Sequence, residues 1–134
     1  MAEKLDQTLR EMGDHLGFLG YESEVKEGKV HPYLYLRHLR NPNLIMDLFG
    51  GAVKCTAYFK LSVEGLSKPP ELLSLLAELN QRANAVKFYT DEDSFVLELV
   101  LPHEYSKTSF GSYWSLVESD FRLIADGRIA PFLE

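Results

Sequence analysis

The sequence predicts an α+β domain in which an antiparallel sheet of about five strands packs with three helices. Residues 53–63 alternate apolar and polar side chains, as a half-buried strand does. Three other segments repeat apolar residues every three or four positions, which is the spacing of an amphipathic helix. Because these helices and strands do not alternate strictly along the chain, an antiparallel sheet is favoured over a parallel one.

The three predicted helices begin, divide and end the chain. Their apolar stripes are Leu5, Leu9, Met12 and Leu16 in the first helix, Leu72, Leu76, Leu79 and Ala83 in the second, and Phe110, Trp114, Val117, Phe121 and Ile124 in the third. Pro69 and Pro70 suit the first turn of the second helix, where a missing backbone N–H costs nothing. Gly127 is expected to stop the third helix.

Three strands are predicted before the second helix and two after it. The first three contain VHPYLYLRHL (30–39), NLIMDLFG (43–50) and residues 53–63, in which Val63 is expected to share the apolar face. Gly50-Gly51 predicts a tight hairpin between the second and third strands. The last two strands, 85–90 and 94–101, flank an acidic turn. The order is therefore α-β-β-β-α-β-β-α, within a single domain of residues 1–134.

Charge and cysteine content exclude several classes of function. The net charge of −6 argues against nucleic acid and against an anionic membrane surface as the main partner, because both require clustered Lys and Arg. No apolar run approaches the length that spans a bilayer. The first 15 residues lack the apolar core of a signal peptide, and Cys55 is the only cysteine. A cytoplasmic protein is expected.

No arrangement of residues in the sequence predicts catalysis, a metal or a cofactor. His31 and His38 are seven residues apart in a strand-like run, which places them on opposite faces, and His15 and His103 have no partner at a ligand spacing. The acidic turn TDEDSF (90–95) is too short for a calcium loop. Cys55 lies on an apolar strand face, where cysteine is usually inert. We therefore expect no enzymatic activity.

One segment resembles a known family. Residues 72–101 combine a leucine-rich helix, Asn80 and Asn84 four residues apart, a strand with the motif K-F-x-x-D from Lys87 to Asp91, and a short apolar strand. This combination resembles YbjN-type proteins and their relatives, the type III secretion chaperones. The resemblance implies an α+β fold, a homodimer, and binding of a protein partner in a chaperone-like or regulatory role.

Asn80 and Asn84 are interpreted as structural residues rather than ligand-binding ones. Asparagine is common near helix C-termini because it tolerates left-handed backbone and its amide can bond free carbonyl groups. Both residues come at the junction between a helix and a strand, where such carbonyls need partners. We expect them to fix the second helix against the strand that follows.

Two functions of different class remain open. The first is a protein-binding module, because apolar residues also occupy the second face of the predicted strands, more than three helices can cover. The predicted partner-binding residues are Tyr33, Tyr35, Ile45, Phe49, Val96 and Val100. The second is a small-molecule binder, for haem or a metabolite, that uses a pocket between helix and sheet. The histidines and the face of Tyr33, Tyr35 and Arg37 would serve that pocket.

Overall fold

The structure is a computed structural model that describes residues 4–125 and 127–134. Within these residues it contains six strands, four α-helices and one 3₁₀ turn. In chain order they are α1 (Gln7–Phe18), β1 (Glu22–Lys26), β2 (Tyr33–Arg37), β3 (Leu44–Phe49), β4 (Ala52–Lys60), α2 (Val63–Ser67), α3 (Pro69–Arg82), β5 (Lys87–Asp91), β6 (Ser94–Pro102), α4 (Lys107–Ala125) and the 3₁₀ turn Ala130–Phe132.

The six strands form one antiparallel sheet in the order β1-β2-β3-β4-β6-β5. Gly50 and Gly51 connect β3 to β4, as the sequence predicts, and Gly50 has a φ of 60° that suits glycine. Glu92 and Asp93 connect β5 to β6, so the acidic segment is a two-residue hairpin turn. The sequence-based prediction of an α+β fold with an antiparallel sheet is confirmed.

The structure adds one strand and one helix to the predicted count. β1 was not predicted, because four of its five residues are exposed and it shows no alternation of buried and exposed side chains. The predicted strand 53–63 is wrong at its end. β4 stops at Lys60, and Val63 is 84% exposed at the start of α2 rather than on the buried face. The Ser62 hydroxyl caps α2 by accepting a hydrogen bond from the Gly65 amide.

The chain divides into two compact units, and the first takes the residues up to Thr56 together with Val100–Ser112. In this unit α1 packs against β1 and β2. The approach is close at Gly13, where an added Cβ would lie 2.7 Å from Leu34 Cδ1. The fully buried side chains in this unit include Leu9, Met12, Leu16, Leu36, Leu44, Met46 and Val53.

Asp6 fixes the start of α1 in the first unit. Its carboxylate accepts hydrogen bonds from the amides of Thr8 and Leu9 and lies 2.9 Å from His103 Nε2. Burial alone would raise the pKa of Asp6. The hydrogen bonds from His103 and from the two helix amides lower this pKa by more than burial raises it, so the pKa of Asp6 lies below its usual value.

The second unit takes Ala57–Leu99 and Tyr113–Glu134. Pro69 and Pro70 begin α3, as the sequence predicts, and α3 packs against β5. The large buried side chains here include Phe88, Phe95, Leu97, Leu99 and Trp114. The C-terminal segment returns to the end of β4, where Leu133 forms a bridge with Leu61, the residue after the strand. Whether residues 1–134 behave as a single domain stays a prediction.

Candidate functional site

The two faces of the sheet differ in exposure within the first unit. Leu34, Leu36 and Met46 are at most 2% exposed. Tyr35 and Ile45, which alternate with them along β2 and β3, are only half-buried. Side chains that keep accessible surface on this second face form what is here called the open face: Tyr33, Tyr35, Arg37, Ile45, Asp47, Phe49, Lys54 and Val100.

Apolar and aromatic groups on the open face lie directly beside one another. Tyr35 is opposite Ile45 in the β2–β3 pair. Phe49, at the end of β3, is 57% exposed. Lys54 Nζ lies 4.4 Å from the centre of the Phe49 ring, and Arg37 Cζ lies 5.3 Å from the centre of the Tyr35 ring. These are cation–π distances, so basic groups frame the aromatic rings.

Charges of both signs are interspersed across this surface. Glu24, opposite Tyr35 in the β1–β2 pair, accepts from Lys26 at 3.1 Å and from Arg37 at 2.8 Å. The hydrogen bond and positive charge of Lys26, with Arg37 adding to them, hold the pKa of Glu24 below its usual value. Asp47 is opposite Lys54 and lies 3.2 Å from His31 Nδ1.

Five of the six predicted partner-binding residues keep accessible surface. Tyr33, Tyr35 and Ile45 are half-buried, and Phe49 and Val100 are 57% and 46% exposed. Partner binding at these five residues stays a prediction.

The expectation for the sixth residue, Val96, is corrected because it has 0% exposure. Tyr89 of β5 lies directly opposite Val96 on the same face. The Tyr89 hydroxyl donates to Glu98 Oε1 at 3.0 Å, and burial, followed by this hydrogen bond, raises the pKa of Tyr89 to about 12. From Phe95 to Leu97, β6 is buried on both faces.

Asn80 joins α3 to β5 through a pair of reciprocal hydrogen bonds. Its side-chain amide donates to the Phe88 carbonyl at 2.8 Å and accepts from the Phe88 amide at 2.8 Å. The partner is the strand backbone, not the free carbonyls at the helix end that the sequence argument had assumed. The bonds extend the hydrogen-bond pattern of β5 on to a helix side chain.

Asn84 acts together with a buried residue that the sequence argument missed. Asp120 of α4 is 1% exposed, and its carboxylate accepts from the Asn84, Ala85 and Val86 amides at 2.7–2.9 Å. The Asn84 side chain adds a donor at 3.3 Å. The available signal was a carboxylate three residues after Val117, inside the apolar stripe of the last helix.

Each histidine has its own neighbour, and the structure brings no two of them together. His15 Nδ1 is 2.8 Å from the Tyr105 hydroxyl. His31 contacts Asp47, and His103 contacts Asp6. His38 Nδ1 accepts from the amides of Arg40 and Asn41, so its Nε2 carries the proton and donates to the Leu19 carbonyl. His38 thus orders the loop after β2.

The described residues offer no cluster of three or more potential metal ligands. Cys55 is fully buried, and burial raises the pKa of its thiol, which disfavours the reactive thiolate. Of the helices described for this chain, none is both long and apolar enough to cross a membrane.

Two clefts lie away from the face of Tyr33, Tyr35 and Arg37. One, in the first unit, lies between α1 and the start of α4 and is lined by His15, Phe18 and Tyr105 among others. The other, in the second unit, lies between α3 and the C-terminal segment, where Arg128 pairs with Glu78. A small-molecule pocket at that strand face stays a prediction.

Comparison with known proteins identifies a structural neighbour. No protein-family profile and no curated protein matches the chain in sequence. Among solved structures, the crystal structure of YbjN, a proposed transcription regulator from E. coli, is similar with a TM-score of 0.67 and 18% sequence identity. The similarity covers 95% of this chain and 93% of YbjN. The resemblance seen in residues 72–101 is thus confirmed at the level of the fold, and the chain has a YbjN-type fold.

Proposed function

We propose that this chain is a non-enzymatic protein-binding module and that the open face is its docking surface. The observation that carries the proposal is the row of aromatic and aliphatic groups on an accessible sheet face, from Tyr33 and Tyr35 through Ile45 to Phe49. Aromatic residues are enriched at protein interfaces because they bury much area while fixing few torsions. Lys54 and Arg37 would lie at the rim of the contact.

The occupant that suits this face is a second copy of the chain. A two-fold contact places a surface against itself, so the surface must be self-complementary. The open face, together with the β1 residues paired with it, meets this condition, because the basic Lys26, Arg37 and Lys54 lie among the acidic Glu22, Glu24 and Asp47. The chain as a whole has 14 basic and 20 acidic side chains, so this surface is less acidic than the average. Two copies can meet there without opposing large like charges.

A regulatory role that acts through protein contacts fits these properties. YbjN is described as a proposed transcription regulator, and the acidic net charge of this chain does not favour direct contact with DNA phosphates. The resemblance to secretion chaperones supports a different role, holding an unfolded client. Suppression of the aggregation of a denatured test protein would favour the chaperone role, and its absence the regulatory one.

Sedimentation at micromolar concentration tests the docking surface. We expect the wild-type chain to sediment at twice its 15.3 kDa mass. Phe49→Asp combined with Tyr35→Asp should give a monomer, because each change puts a carboxylate into the contact. Leu73→Glu is the matched control: Leu73 is a 60% exposed apolar residue on α3, and this variant should remain a dimer.

A wild-type chain that stays monomeric at high concentration would overturn the homodimer. A dimer that persists in the double variant would instead place the contact elsewhere on the molecule. Circular dichroism of each variant separates loss of the dimer from loss of the fold.

A further inference from the structure

The cleft of about 500 Å³ beside α1 has the size of a small-molecule site. Successive turns of the helix place Glu11, Asp14, His15 and Phe18 along it. Tyr105 and Lys107, from the segment between β6 and α4 and from the first turn of α4, line the opposite side. All of these residues belong to the first compact unit.

One wall of the cleft is a fixed aromatic cluster. The His15 ring lies with its centre 4.9 Å from that of Phe110 and 5.8 Å from that of Tyr105. Phe110 is 4% exposed, so it anchors the cluster to the core. The hydrogen bond between His15 Nδ1 and the Tyr105 hydroxyl holds these two rings together. Such a wall needs little reorganisation to receive a ligand.

Phe18 completes the cleft and leaves most of its side chain in water. Its side chain is 91% exposed, more than any other aromatic side chain in the part of the chain that the structure describes. Leaving a phenyl ring in water gives up the free energy that its burial would contribute. A ligand that covers Phe18 would recover that free energy.

The charges of the cleft define the chemistry of the ligand. Glu11 and Asp14 place two carboxylates beside the aromatic groups, against the single cation Lys107, which is exposed. Aromatic faces combined with carboxylates attract organic cations, through the ring quadrupole and through charge. A bare metal ion would leave the aromatic surface uncovered, whereas an alkylated cation covers it.

We propose that this cleft binds an alkylated ammonium or guanidinium group. The group would pack against Phe18, His15 and Tyr105 while Glu11 and Asp14 balance its charge. The same chemistry is presented by a free amine and by a Lys or Arg side chain of a polypeptide. The site is separate from the open face and does not depend on the function proposed for that surface.

Titration of the full chain, followed by amide chemical shifts, tests the proposal with defined probes. Choline is compared with 3,3-dimethylbutan-1-ol, which has the same shape without the charge. We expect shifts at the cleft residues and binding of choline about tenfold tighter than that of the alcohol. A short arginine-containing peptide forms a second arm. Tighter binding of the peptide assigns the site to a polypeptide, and tighter binding of choline assigns it to a small-molecule ammonium ion.

Variants at exposed positions separate binding from folding. Asp14→Asn and Phe18→Ala should each weaken binding of the preferred probe several-fold. Glu27→Gln and Leu39→Ala make matched changes at exposed residues that do not line the cleft, and they should leave binding unchanged. Equal binding of choline and the alcohol would overturn the proposal. It would also be overturned if neither choline nor the arginine-containing peptide caused chemical shift changes at the cleft. Effects of the same size in the control variants would also overturn it.

Discussion

Asp120 is the residue that best shows how single side chains organise this fold. A carboxylate that is 1% exposed would be costly to bury on its own. Here the amides of Asn84, Ala85 and Val86 all donate to it, and hydrogen bonds to a charged acceptor are about twice as strong as neutral ones. The amides lack a helical partner because α3 ends at Arg82. Asp120 therefore satisfies the chain where it passes from helix to strand.

Replacing Asp120 should destabilise the protein strongly. In Asp120→Asn, an amide NH₂ replaces one acceptor oxygen and faces backbone donors, so buried N–H groups lose their partner. We expect the free energy of unfolding to fall by about 2–4 kcal/mol, measured by urea denaturation. Glu118→Gln makes the same chemical change two residues earlier in α4 and should change it by less than about 0.5 kcal/mol. A similar fall in the free energy of unfolding in both variants would show that the hydrogen bonds of Asp120 do not contribute specially to stability.

Among the elements, β6 departs most from the pattern that its sequence suggests. Alternation predicted one buried face, with Phe95, Leu97 and Leu99, and one accessible face. The first face is buried as predicted. The second is accessible at Val100 but closed at Val96, which is paired with Tyr89 of β5. A strand's own sequence cannot reveal which parts of the folded chain bury it, and this is why the prediction failed at Val96.

Two valines four residues apart in β6 give a matched test of this difference. Val96→Ala removes two methyl groups from a fully buried site and should lower the free energy of unfolding by about 2 kcal/mol. Val100→Ala, at a 46% exposed site, should lower it by less than about 0.5 kcal/mol. Denaturation at two protein concentrations separates core from interface, since only an interface effect depends on concentration. A larger loss at Val100 than at Val96 would contradict the assignment of the two residues.

Some of the other elements could be predicted from their local sequence, whereas others depend on contacts with distant parts of the chain. The two-residue hairpin at Gly50-Gly51 and the proline start of α3 follow from local chemistry, and both were predicted. β1 could not be predicted, because a strand in the first position of the sheet can be charged and exposed on both faces. Val63 continued the alternation of β4 in sequence, but the Ser62 cap turns the chain into α2.

At the scale of the whole molecule, the fold class followed from periodicity, whereas the candidate site followed only in part. Helical and strand spacing depend on each segment alone, and they gave the α+β architecture. The open face was anticipated in five of its residues because strand alternation also marks the second face. The cleft beside α1 was not anticipated, since it brings Phe18 close to Tyr105, which is far away in sequence.

The net charge of −6 predicts how association of two copies depends on salt. Like charges on the two chains repel each other, and the screening length falls from about 10 Å at 0.1 M salt to about 3 Å at 1 M. Contact through apolar and aromatic groups is not weakened by screening. We therefore expect the dimer to tighten between 0.1 M and 1 M NaCl in sedimentation equilibrium.

The Phe49→Asp, Tyr35→Asp double variant serves as the control, because salt should not restore its association. A wild-type dimer that dissociates as salt rises would mean that ion pairs, rather than the aromatic groups of the open face, hold the two copies together.

The junction around Asp120 also provides a search pattern for more distant relatives. Asn84 belongs to the Asn-x3-Asn step at the end of α3, and Asp120 interrupts the apolar stripe of α4 some 36 residues later. Neither feature is distinctive alone, because asparagines near helix ends and isolated acidic residues are common. Together they identify a helix end, a strand start and a distant carboxylate that meet at one point. Sequence identity to YbjN is only 18%, so overall sequence similarity is a weak guide to relatives of this fold. In a sequence search, the asparagine and the aspartate together are more specific than the pattern of either helix alone.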